Sequence, residues 1–149
     1  MAFERLTADA RAAVLAASED EARAEGSATI EAEHLLLALA AHPSLEHLGL
    51  DRAEIEGALA REEERSLATV GVAPGDYGSP TPTGRPRKPK LATSFKVALH
   101  RAVTTAQVCG DRRIGAHHLL GGVLAAEHGR VPRALRIAGI DVAELRTRL

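Results

Sequence analysis

The chain writes one phrase twice. "IEAEHLLLAL", Ile30 to Leu39, and "IGAHHLLGGV", Ile114 to Val123, align without a gap, with Ile, Ala, His and Leu-Leu falling on their counterparts. The agreement extends on both sides. "LTADARAAVLAASEDEARAEG" (Leu6 to Gly26) matches "LATSFKVALHRAVTTAQVCG" (Leu91 to Gly110), with one extra residue in the first copy. "LGLDRAEIEGAL" (Leu48 to Leu59) matches "AGIDVAELRTRL" (Ala138 to Leu149). Such a repeat requires one supersecondary unit to be built twice, and this narrows the choice of fold more than composition does.

Each repeated piece has helix chemistry. Leu6, Ala10, Val14 and Ala17 share one face at three-to-four spacing, as do Phe95, Leu99, Ala102, Val103 and Ala106. Gly26 and Gly110 stand where a helix should stop. Asp51 with Glu54, and Asp141 with Glu144, have the spacing of an acidic capping box at the start of each half's last helix. "SLEHLGL" and "VPRALRIAG" read as short helices, Pro132 suiting a first turn. With 2% aromatic residues and no Trp, the core must be Ala, Leu, Val and Ile, which favours close helix packing. A half of roughly 60 residues has a thin core by itself. The expectation is an all-α fold with no convincing strand: a duplicated four-helix repeat, eight helices packed about a pseudo-twofold axis as a single domain.

Five of the seven prolines fall between Gly71 and Lys90, a stretch that cannot keep helical hydrogen bonds. Residues 66–90 are therefore read as a linker, 1–65 as repeat one and 91–149 as repeat two. The linker's end, "GRPRKPK" (Gly84 to Lys90), could touch an acidic partner or DNA, or simply be a solvated basic run. Ser79, Thr81 and Thr83 beside it could be modified, but nothing in the sequence demands it.

Several function classes fall away. A net charge of −1 argues against a dedicated nucleic-acid binder. The single Cys109 excludes an internal disulfide and any multi-thiol zinc site, and reads as packing. The start carries no signal-peptide hydrophobic region, and no apolar run reaches membrane-spanning length, so a cytoplasmic location without membrane contact is expected. There is no phosphate loop and no nucleophile–base pair. The chain is not expected to be an enzyme, or to use a cofactor or a metal.

"FERLTADAR", the doubled "IEAEHLLLAL" phrase and the "LGLD" closure resemble the Clp N-terminal repeat domain of ClpC-type AAA+ unfoldases, where the phrase is typically "IGTEHILLGL", also written twice. The resemblance covers nearly the whole chain outside the linker. It implies a recognition module without its ATPase motor, which binds degradation substrates, adaptor proteins or cyclic-peptide antibiotics. The partner would be a Clp unfoldase or its adaptors, and the role delivery or sequestration. The alternative is an accessory subunit that docks on the Clp peptidase and stabilises the protease core.

The resemblance also nominates positions. Glu33 stands where the family's glutamate receives the guanidinium of phosphoarginine, with Arg5 and Thr7 in the segment that lies near it. A carboxylate suits a planar guanidinium; the plainer reading is that Glu33 only favours the start of its helix. In the second copy His117 replaces it, so one such site at most is implied. His117 and His118 could be metal ligands, but no acidic cluster or Cys completes a set. His34 and His118 read as buried histidines bonded to backbone. A second, peptide-binding surface is implied at Phe3, Glu4, Arg11 and Val14 from repeat one with Leu91, Lys96, Leu99 and His100 from repeat two. Phe3 could instead be a staple over the first helix.

Overall fold

Thr7 is extended, and its Oγ1 accepts from the Ala10 amide at 3.2 Å, so the first helix starts capped. That helix, α1 (Ala8–Ala12), widens into a π-helical stretch, Ala13–Ala17, and continues as α2 (Ser18–Glu25). A π turn absorbs one residue more than an α turn. This is where the first copy keeps the residue that the second lacks. Ser18 seals the turn: its hydroxyl donates to the Ala13 carbonyl at 2.8 Å, and the residue is fully buried. The widening also shifts the inward face. Ala17, expected inside, is half-buried, and Ser18 takes its place as the counterpart of Ala102.

The rest of the described chain follows the duplication. α3 (Ala32–Ala40) is followed by a 3-10 turn, Pro43–Leu48, and α4 (Arg52–Thr69). The second half has α5 (Thr93–Val108), α6 (Ala116–Leu124), α7 (Arg130–Ile137) and α8 (Val142–Thr147). Gly26 and Gly110 end their helices at φ 74° and 77°, a left-handed conformation that Gly adopts without strain. Asp51 accepts from the Ala53 and Glu54 amides, and Asp141 from that of Glu144. The reciprocal glutamate bonds of a capping box are not formed. This computed structural model describes residues 2–73 and 88–149, with side chains from residue 4 onward. The prolines from Pro74 to Pro86, Ser79, Thr81, Thr83, most of the basic run and the Phe3 side chain lie outside the described residues.

The expectation of no strand is corrected in one detail. Two short parallel pairings join the halves. β1 (Thr29–Ile30) pairs with β2 (Lys90–Leu91), and Leu6 forms a single bridge with Ile114. The lead-in to each half's first helix thus lies beside the lead-in to the other half's second helix. The Ala92 amide donates to the Ile30 carbonyl at 3.0 Å; the Thr7 amide donates to the Ile114 carbonyl at 3.0 Å. These pairings are the pseudo-twofold relation in backbone form.

One continuous core draws on both halves, with Leu35, Leu36, Leu39 and Ile55 meeting Phe95, Leu119, Leu120 and Leu135. α5 packs on α6 and α4 on α7. The architecture is all-α, as expected. Among the described residues no helix is long and apolar enough to cross a membrane.

Candidate functional site

Glu33 lies in the first turn of α3 and is 7% exposed. Its carboxylate does receive a guanidinium, but from within the chain. Arg130, in the first turn of α7, reaches Glu33 Oε1 at 3.0 Å and Glu25 Oε1 at 3.1 Å through Nη1. Its Nη2 is 3.6 Å from Glu63 Oε2 and donates to the Leu59 carbonyl at 3.4 Å. Nε lies 3.5 Å from Glu62 Oε2, within ion-pair range but without hydrogen-bond geometry, and is buried. Four carboxylates of repeat one therefore surround one arginine of repeat two. Burial works against the charge on Arg130, yet Glu25 and Glu33 hold its pKa above the ordinary arginine value.

Glu62 is 3% exposed and bound on the other side by Arg133 Nε at 2.8 Å and the Ser66 hydroxyl at 2.7 Å. Burial pushes its pKa up, and Ser66, Arg133 and Arg130 together outweigh that and hold it low.

His34 locks the adjoining turn. Its Nδ1 accepts from the Glu31 amide at 2.8 Å, so the ring proton sits on Nε2, which donates to Glu25. The same device recurs in repeat two. His118 Nδ1 accepts from the Gly115 amide at 3.0 Å, and its Nε2 meets Asp111 Oδ2 at 2.8 Å. The histidines are buried and bonded to backbone as expected; the carboxylate partners were not foreseen.

The His34 bond and Arg130 hold the Glu25 pKa at about 2, against 4.5 for a free glutamate. A folded-state value below the unfolded one gives stabilisation that is complete above pH 4.5 and is lost as pH falls towards 2. Urea midpoints across that window should converge for wild type and Glu25→Gln, with the wild type the more stable at pH 6. Parallel curves throughout would show that the bond adds nothing.

His117, the counterpart of Glu33, is exposed, and its ring centroid is 3.9 Å from that of His118. Partial desolvation of its ring and the neighbouring His118 lower its pKa. Asp111, His117 and His118 bring ligand atoms within 4.8 Å of one another, supplying the acidic group that sequence reading did not find. A metal on His118 Nε2 would need the proton moved to Nδ1, where it would face the Gly115 amide hydrogen. The helix cap thus fixes His118 as a donor, and two ligands remain.

The other nominated residues are scattered by the pseudo-twofold exchange. Arg5 donates to the carbonyls of Asp111 and Arg112, at 3.2 and 3.3 Å, and Thr7 pairs with Ile114. Both serve the loop leading to His117. The start of α3, with Glu33, is met instead by Ser94, whose Oγ accepts from the Ala32 amide at 3.0 Å. Val14 and Leu99 are core residues, 1% and 8% exposed. Glu4, Arg11, Lys96 and His100 are exposed, and Leu91 is half-buried in β2.

Sequence reading missed Leu15, which the π stretch leaves 48% exposed. With Leu6, Ala8, Arg11, Ala12 and Arg113 it lines a shallow groove of about 450 Å³. The extra residue of the first copy was the signal. Arg130, Glu25 and Glu62 were missed because nothing local marks them.

No protein-family model and no curated protein matches the chain. Solved structures do. The N-terminal domain of the caseinolytic protease associated chaperone ClpD from Arabidopsis thaliana superposes with a TM-score of 0.72 at 22% identity, over 99% of this chain and 93% of that one. The Hsp104 N-terminal domain from Candida albicans gives 0.59 at 15% identity, over 91% and 83%. A structure from a malarial protein secretion system gives 0.63 at 19%, over 97% and 91%. Doubled phrase, exchanged lead-ins and these superpositions agree: the chain has the fold of a Clp N-terminal domain.

Proposed function

We propose that the chain is a non-enzymatic module that binds protein or peptide segments, delivering degradation substrates or adaptors to a Clp unfoldase or withholding them from one. The fold shared with the ClpD and Hsp104 N-terminal domains supports this reading. The observation that carries it is the Leu15 groove. An exposed leucine in a groove also lined by Arg113 suits an apolar side chain carried beside a carboxylate. Phosphoarginine recognition is the narrower form of the reading. Glu33 is a guanidinium acceptor, and an incoming phosphoarginine would have to take the place that Arg130 holds.

Fluorescence anisotropy with labelled casein peptides tests the groove. Leu15→Asp should weaken binding about tenfold, the loss of one well-placed apolar anchor. Arg146→Ala, on α8 and outside the groove, should leave it unchanged. Equal affinity for wild type and Leu15→Asp, or no binding by the wild type, would end the reading.

A further inference from the structure

On the side of the molecule formed by α4 and α7, a pocket of about 360 Å³ is lined by Glu62, Arg65, Ser66, Thr69, Arg133, Arg136 and Ile137. Its chemistry is one-sided. Glu62, the lone carboxylate among these residues, is buried and already bound by Ser66, Arg133 and Arg130. It is not available to neutralise the mouth of the pocket.

The arginines are placed unequally. Arg133 is pinned by its Nε on Glu62 at 2.8 Å, while its side chain remains 54% exposed. Such a bond fixes the plane of the guanidinium and leaves its two Nη groups unused by Glu62. Arg65 and Arg136 are exposed, and among the described residues no carboxylate pairs with either. Arg23 and Arg52, by contrast, each have an acidic partner. Three guanidinium groups thus share one concave site, one of them pre-oriented. Their charge exceeds that of the single buried carboxylate by two. A planar donor edge with flanking cations is the arrangement that recognises phosphate oxygens.

We infer that this pocket is a binding site for a phosphate group, held by the Nη edge of Arg133 with Arg65 and Arg136 closing on it. The site stands apart from the Leu15 groove and does not depend on the peptide-binding reading. The phosphate could arrive free or on a phosphorylated side chain; the recognising chemistry is the same.

NMR amide shifts on the full chain test the site, with inorganic phosphate as the first probe and a short phosphoserine peptide, against its unphosphorylated twin, as the second. Saturable shifts confined to residues 62–69 and 130–137 are expected. Arg65→Ala/Arg136→Ala should weaken them about tenfold or more, since each removes a hydrogen bond to a charged group. That variant touches no buried partner and should keep the wild-type melting temperature. Tighter binding of the phosphopeptide than of free phosphate would identify a modified protein as the source; equal binding would identify the free ion. Shifts spread over all basic surfaces, an undiminished response in the double variant, or equal binding of the unphosphorylated peptide would overturn the assignment.

Discussion

Arg130→Ala should cost about 3–5 kcal/mol of stability at pH 7, the range for stripping one partner from a buried ion pair. Most of that cost is not the lost attraction. Glu33 and Glu62 are 7% and 3% exposed, and each would be left with its charge and less to meet it. Glu62 would keep Arg133 and Ser66; Glu33 would lose the guanidinium at 3.0 Å. The pH dependence gives the mechanism its signature. An unpaired buried carboxylate has its folded pKa raised, so its stabilisation is greatest at low pH and declines as pH rises. The variant should therefore recover stability relative to wild type between pH 7 and pH 5, as read from urea midpoints. Arg130→Lys, which keeps the charge but loses the fork, should fall between the two. A deficit that does not change with pH would mean that the loss comes from packing and not from charge.

Gly122→Ala should be nearly as damaging for a different reason. A Cβ built on Gly122 would stand 2.2 Å from the Ala98 carbonyl oxygen and 3.0 Å from the Ala102 amide nitrogen. Both are backbone atoms of α5, so no rotamer change relieves the clash, and α6 must move away from α5. Against this stands a gain of about 1 kcal/mol from replacing Gly inside a helix. Because backbone atoms cannot turn aside, overpacking should reach about 3–4 kcal/mol, exceed that gain and leave a net loss of about 2–3 kcal/mol, seen in calorimetry as a melting temperature lower by roughly 4–12 °C. The neighbouring position is the control. A Cβ on Gly121 would meet only Leu149 Cδ1 at 3.5 Å, an ordinary contact, so Gly121→Ala should be neutral or mildly stabilising. If the two variants melt alike, close approach of α5 and α6 is not what Gly122 secures.

The contrast between these two sites shows what the sequence could and could not convey. The helices, their glycine stops and their aspartate caps are local patterns, repeated at a fixed offset, and all were legible. The π stretch was half legible. The extra residue was visible, but not that Ser18 would turn inwards and Leu15 outwards, because a helical wheel of constant pitch places Ala17 on the buried face. The Arg130 cluster was not legible at all. It joins residues 97 positions apart, Glu33 and Arg130. Arg130 also falls in "AAEHGRVPRALRI", a connection longer than its counterpart in repeat one, so the internal comparison had no matching position to set beside it. The resemblance put Arg5 and Thr7 in a segment near Glu33; here they bond to residues 111–114, because the fold hands each half's opening segment to its sister.

That handover makes each half depend on the other. With Leu6 bridged to Ile114 and Ile30 paired with Leu91, each copy supplies a piece of backbone that the other needs. Cut apart, either half would leave that backbone unpaired and could satisfy it only from a second molecule. The covalent join keeps the exchange within one chain, at a high local concentration of each half for the other.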